Sequence, residues 1–129
     1  MIRSMMAAAA AVLLAACSGM GTIYGGGSPA TVADGTLTGA RGMTLYTFAR
    51  DPADAGRSAC NGQCATNWPP FYVADDARAS GDWSVVTRDD GRRQWAYKGK
   101  PLYYFVRDQK AGDRTGDGFL DGAWRVARP

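Results

Sequence analysis

Few side chains in this 129-residue sequence are suited to chemistry, and their types exclude more than they suggest. There is no histidine, and all 12 acidic residues are aspartates. That rules out a Ser-His-Asp or Cys-His nucleophile, a His-ligated zinc site and a C-x-x-C-H haem attachment. Three groups remain. The first is the set of 3 cysteines, Cys17, Cys60 and Cys64. The second is Asp51 with Asp108, which could act as acid and base of glycoside hydrolysis if folding set them roughly 5–10 Å apart. The third is the loop from Asp113 to Asp121, where Asp113, Asp117 and Asp121 fall on ligand positions of a calcium loop. Trp124 stands where that loop needs its bidentate glutamate, so a Gly/Asp turn cluster is the competing reading.

The cysteines divide by context. Arg3 and the apolar run Met5 to Ala16 lead into Leu14-Ala15-Ala16-Cys17. The run is too short for a bilayer span, which needs about 20 residues, and it reads as a targeting signal. Leu-Ala-Ala-Cys matches the lipobox of bacterial lipoproteins. It implies a signal peptide over 1–16 and lipidation of Cys17, and Ser18 points to the outer membrane if the host is Gram-negative. Cys60 and Cys64 then form an even pair flanking Asn61-Gly62-Gln63, a spacing that lets the chain fold back into a disulfide. So short a loop gives a local staple of about 2 kcal/mol. The alternative is a redox-active or metal-binding dithiol, but the spacing is not C-x-x-C and two thiols do not complete a zinc shell. A net charge of +3 is too small to suggest nucleic acid as a partner.

What must position these residues is a mainly β domain. Residues 17–34 are rich in Gly and Ser and read as a flexible tether after the lipidated cysteine. From 35 to 129 the chain reads as short strands between turns. Thr44 to Phe48 alternates, setting Tyr46 and Phe48 on one face and Leu45 and Thr47 on the other. Trp83–Arg88 and Gln94–Tyr97 flank an Asp-Gly turn and predict a hairpin, and Leu102–Val106 predicts a further strand. Only Ala74–Arg78 has a helical look, and it is too short to matter. The chain also repeats itself. Gly42 to Asp51 lines up with Gly99 to Asp108, and Gly56, Gly62 and Trp68 fall on Gly112, Gly118 and Trp124 after a one-residue slip. Cys60 and Cys64 correspond to Gly116 and Leu120, so the second copy lacks the pair. The expectation is a small duplicated antiparallel β domain, with repeats at about 36–70 and 93–129.

The residues Tyr46-x-Phe48-x-x-Asp51 and Tyr103-x-Phe105-x-x-Asp108 carry a resemblance. With Cys60-x-Gly62-x-Cys64 and Trp68-Pro69-Pro70 they are similar to the secreted-repeat family of predicted bacterial lipoproteins that has a Y-x-(F/W/Y)-x-x-D motif. The resemblance implies a cell-envelope location and a β-rich fold, and supplies no cofactor, substrate or catalytic residue. Within the motif, the expected role of the aromatics is to fill the core while each Asp caps a turn. The competing role is an aromatic and Asp-lined cleft for a sugar or a small aromatic. The sequence thus points to a lipid-anchored envelope lipoprotein with a non-enzymatic structural or binding role and no cofactor. It would be held to the membrane by its N-terminal lipid, with an envelope protein or small ligand as partner. The alternative function is an accessory to envelope redox, metal or haem handling.

Overall fold

Runs of β-branched and aromatic residues are cut short here by Gly, Asp and Pro, so the strands are only two to five residues long. The computed structural model describes residues 28–54 and 56–129. The signal reading over 1–16, Cys17 and most of the expected tether lie outside those residues. Strand β1 (Thr31–Ala33) pairs with β2 (Thr36–Thr38), β4 (Trp83–Thr87) with β5 (Arg93–Tyr97), and β5 with β6 (Lys100–Pro101). Strand β3 (Tyr46–Phe48) pairs with β7 (Trp124–Val126), and all these pairs are antiparallel.

Turn chemistry sets the register. Asp34 and Gly35 close the first hairpin at φ 50° and 74°, and Lys98 and Gly99 close the β5–β6 turn at φ 51° and 81°. Both are two-residue turns of the kind that needs positive φ at each central position. The first one corrects the tether boundary: the stretch expected to be flexible to residue 34 already holds β1. That strand is exposed along its whole length while β2 is buried. It gains order from backbone pairing, not from apolar burial, so composition could not reveal it. The Trp83–Tyr97 hairpin forms as expected, with Thr87 opposite Arg93.

Leu102–Val106 differs from the expected strand. Tyr103 bridges both Tyr46 and Pro70, and the Tyr104 N–H donates to the Pro69 carbonyl at 2.7 Å. Pro69 and Pro70 have no N–H to return, so a regular ladder cannot continue. Ala74–Arg78 is a turn, and among the described residues the one α-helical segment with regular dihedrals, α1 (Gln63–Asn67), starts at the end of the Cys60–Cys64 disulfide loop and runs on past it.

The two copies interlock. At the centre Tyr46 and Tyr103 exchange both backbone hydrogen bonds, at 2.8 and 3.0 Å. From there each motif segment runs along the other copy's C-terminal stretch: Ala49 N–H donates to Ala123 O, and its counterpart Val106 N–H to Asn67 O. Leu37 N–H donates to Ala127 O just as Trp95 N–H does to Phe71 O, both at 2.8 Å. Neither half is complete alone. Alternation along the motif segments divides the interior into two cores. One holds Tyr46, Phe48, Trp68, Tyr103, Phe105 and Trp124, and the other holds Leu37, Leu45, Phe71, Trp95, Leu102 and Ala127.

Candidate functional site

The first core is built around a column of four rings. Trp68 and Trp124 stack in parallel with centroids 3.8 Å apart, and Phe105 and Phe48 cap the outer faces at 4.1 and 4.2 Å. Tyr46 meets Trp68 edge-on at 5.3 Å and Tyr103 meets Trp124 at 5.1 Å, the offset or T-shaped geometries that aromatic quadrupoles favour. These six residues include both motif tyrosines and both motif phenylalanines, so the interior of the pseudo-twofold is made from the repeat motif itself.

The tyrosine hydroxyls then cross between copies. Tyr46 donates to Asp108 Oδ2 and Tyr103 donates to Asp51 Oδ2, both at 2.7 Å. Each aspartate also closes its own loop. Asp51 Oδ1 accepts the Ala59 N–H at 2.7 Å, and Asp108 Oδ1 accepts the Thr115 N–H at 3.0 Å together with the Thr115 hydroxyl. Ala59 and Thr115 are equivalent under the repeat, so the motif makes two reciprocal clasps, each tying one copy's strand to the other copy's loop. Burial, then the hydrogen bond or charge of the carboxylate partner, pushes both phenols far above their ordinary range and keeps them neutral donors. Burial also raises the Asp51 carboxyl, opposed by its bonds from Ala59 and Tyr103 and by the charge of Arg88.

The loop of the first copy carries further polar groups. Ser58 contacts the Tyr103 hydroxyl; because the phenol proton goes to Asp51, the serine is the donor. Its oxygen accepts from Cys60 N–H at 3.1 Å and from Arg88 Nη1 at 3.0 Å. Arg88 is only 4% exposed and also donates to Gln94 Oε1 and to the Cys60 carbonyl. Gln94 in turn donates to Leu102 O at 2.7 Å. Sequence reasoning missed Ser58, Arg88 and Gln94 as a set. The available signal was a Gln beside Trp95 in the hairpin strand β5, since a polar residue buried there needs partners.

The structure brings some predicted site residues together and separates others. Cys60 and Cys64 form the disulfide, with Cα atoms 5.2 Å apart, and Cys60 is fully buried. The aspartates of the proposed calcium loop do not converge, which corrects that candidate. Asp113 accepts the N–H groups of Gln109 and Lys110, and Asp117 turns away to accept from Val126 N–H. Among the described residues no cluster of three or more acidic, His or Cys side chains could hold a metal. Asp51 and Asp108, the candidate acid–base pair, are each engaged by a tyrosine from the opposite copy and a backbone N–H of their own loop.

The comparisons with known proteins agree with this division. A family model described as a secreted repeat of unknown function matches the chain twice, over residues 28–72 and 84–128. Each match begins just before or within the hairpin that precedes its motif strand. No curated protein and no solved structure matches the chain.

Proposed function

Because the chain belongs to this family of secreted, extracytoplasmic repeats, we propose that it is a lipid-anchored, non-enzymatic module of the cell envelope with a structural or binding role. The observation that carries this reading is the pair of reciprocal clasps. The groups of the motif best able to do chemistry, two phenols and two carboxylates, are bonded to one another across the repeat and into the backbone. The lipobox ending in Cys17 supports the anchor, and Ser18 supports the outer membrane for a Gram-negative host. Cys60 is fully buried and Cys64 only partly exposed, so at most one sulfur is within reach, which favours a structural disulfide over an accessory role in redox, metal or haem handling.

Two arms test the reading. Palmitate labelling and membrane fractionation should find the chain acylated and membrane-bound, and Cys17→Ser should abolish both. A soluble, unacylated mature protein would overturn the anchor. Asp51→Asn and Asp108→Asn should lower the melting temperature, as expected of clasps. If either removed an envelope phenotype without moving the melting temperature, the aspartates would be functional groups and their reading as structural clasps would fail.

A further inference from the structure

At the position after the motif tyrosine the two copies differ although their symmetry predicts the same packing. In the second motif the position after Tyr103 is Tyr104. Its ring lies edge-on to Phe71 at 5.7 Å, and its hydroxyl accepts the Ala40 N–H at 2.9 Å. The ring fills the gap between its own segment and the turn at Gly39–Ala40, so closely that any Cβ on Gly39 would collide with it. In the first motif the equivalent position is Thr47. The equivalent neighbouring turn is Tyr97–Lys98, and there the gap stays open as a groove of about 360 Å³. It continues into a second cleft of about 320 Å³ that shares Thr47, Lys100 and Arg125.

The open groove is cationic. Lys98, Lys100, Arg125 and Arg128 line it, all exposed. Among the described residues none of the four makes an ion pair; Lys98 lies over the Tyr97 ring at 5.3 Å, and Arg128 reaches only the Gly35 carbonyl at 3.5 Å. Asp117 is the one carboxylate in the lining of the first groove, where it already accepts from Val126 N–H, and Asp51 in the second cleft is engaged by Ala59 N–H and Tyr103. Arg125 stands opposite Thr47 in the β3–β7 register. The small residue that opens the groove is therefore next to a guanidinium fork able to grip an oxyanion with two parallel bonds.

We propose that the groove beside Thr47 binds an anion carrying phosphate groups, gripped by Arg125 and Arg128 on one wall and by Lys98 and Lys100 on the other. Four like charges around one groove repel each other in the free protein, and a polyvalent phosphate relieves that repulsion. A phospholipid headgroup and a soluble phosphorylated compound offer the same chemistry. The proposal stands apart from the anchor, because Cys17→Ser removes the lipid and leaves the groove intact.

The test uses the chain from Cys17 onward with Cys17→Ser, titrated with inorganic tripolyphosphate by calorimetry. In parallel it is mixed with phosphatidylcholine vesicles made with and without phosphatidylglycerol. Tripolyphosphate should bind, and Arg125→Ala should weaken binding at least about tenfold, the loss of one charge-assisted hydrogen-bonded contact. Thr47→Tyr should do the same by plugging the groove with the side chain that the other copy carries. Lys110→Ala, at the Lys110–Asp113 pair outside the groove lining, should leave binding unchanged. If Thr47→Tyr does not fold, Arg125→Ala combined with Lys100→Ala takes its place. Vesicle binding that requires phosphatidylglycerol and is competed by tripolyphosphate upholds the site with a lipid headgroup as its source. Tripolyphosphate binding without vesicle binding upholds it with a soluble source. Failure of both probes to bind, binding that Arg125→Ala and its companion variant leave intact, or vesicle binding that tripolyphosphate cannot displace would overturn the proposal.

Discussion

The loop closed by Asp108 and the loop closed by Asp51 solve one problem in two ways. In the Asp108 loop the backbone does the holding: Gly116 N–H donates directly to the Tyr46 oxygen at 3.2 Å. Glycine is required there, because a Cβ would sit 2.6 Å from the Trp68 ring. In the Asp51 loop the equivalent residue is Cys60, and its N–H reaches its tyrosine only through the Ser58 hydroxyl. Side chains then make up the difference, with Arg88 and Asn61 bonded around the loop and a disulfide from Cys60 to Cys64. Where close approach is possible, backbone and packing suffice. Where a side chain intervenes, a hydrogen-bond network and a disulfide stand in their place, in the one copy that has the cysteine pair.

The comparison breaks most completely at the ring column, which both halves share. Trp68→Ala and Trp124→Ala should each cost about 3–5 kcal/mol in urea unfolding, a large part of the roughly 5–15 kcal/mol that holds a domain together. Because the rings touch, the double variant should cost less than the two single costs added. Similar losses from both halves would show that the column belongs equally to the two copies. Unchanged stability in both variants would mean that the rings are not core, and the aromatic-cleft reading of the motif would return.

Alkali should loosen both clasps. Tyr46 and Tyr103 ionise well above their ordinary range in the folded protein, chiefly through burial. Tyr104 is raised for the same reason. A pKa raised by folding means stability that is complete below the unfolded value of about 10 and is lost as pH rises toward the folded value. Unfolding free energy should therefore fall above pH 10, by about 1.4 kcal/mol per pH unit for each tyrosine held neutral. Phenolate absorbance from these residues should appear together with loss of circular dichroism. A fold that stays intact while every tyrosine ionises would contradict the clasps.

How much of this could be read from the sequence depended on what determined each feature. The separation of Tyr46 and Phe48 from Leu45 followed from strand alternation, and the duplication followed from matching residues in order; both are local or self-referential signals. The Trp83–Tyr97 hairpin was legible because its turn residues sit in the turn. The first hairpin was not, since β1 buries nothing and its order comes from pairing with β2. The clasps were half legible. That each Asp would hold its own loop follows from aspartate's turn chemistry. That each would take its tyrosine from the other copy depends on the interlocked chain path, which spacing does not encode. The groove at Thr47 was hidden for a similar reason: its significance comes from Tyr104, a residue that reads as neighbouring only once the copies are superposed.

The finest test of the comparison removes one hydroxyl at a time. Tyr46→Phe takes the donor from Asp108 and the acceptor from Gly116 N–H. Asp108 is 7% exposed, so water has little access to Oδ2, and a buried main-chain N–H is stranded beside it. Tyr103→Phe takes the donor from Asp51 and an acceptor from Ser58. Here the loss is softened, because Asp51 is only partly buried and the Ser58 hydroxyl can turn fully onto the Cys60 carbonyl it already meets at 3.4 Å. A buried group left unpaired costs about 1–3 kcal/mol, and an exchange of partners costs less. Tyr46→Phe should therefore destabilise by about 2 kcal/mol and Tyr103→Phe by about 1 kcal/mol in denaturant titration. The backbone-held loop is the less forgiving one because the donor it strands is the Gly116 main-chain N–H, which cannot turn to a new partner, while the Thr115 hydroxyl already serves Asp108 Oδ1. If Tyr103→Phe proved the costlier change, the Arg88–Ser58 network would depend on its tyrosine, and the side chains around the Asp51 loop would be as rigid as the backbone they replace.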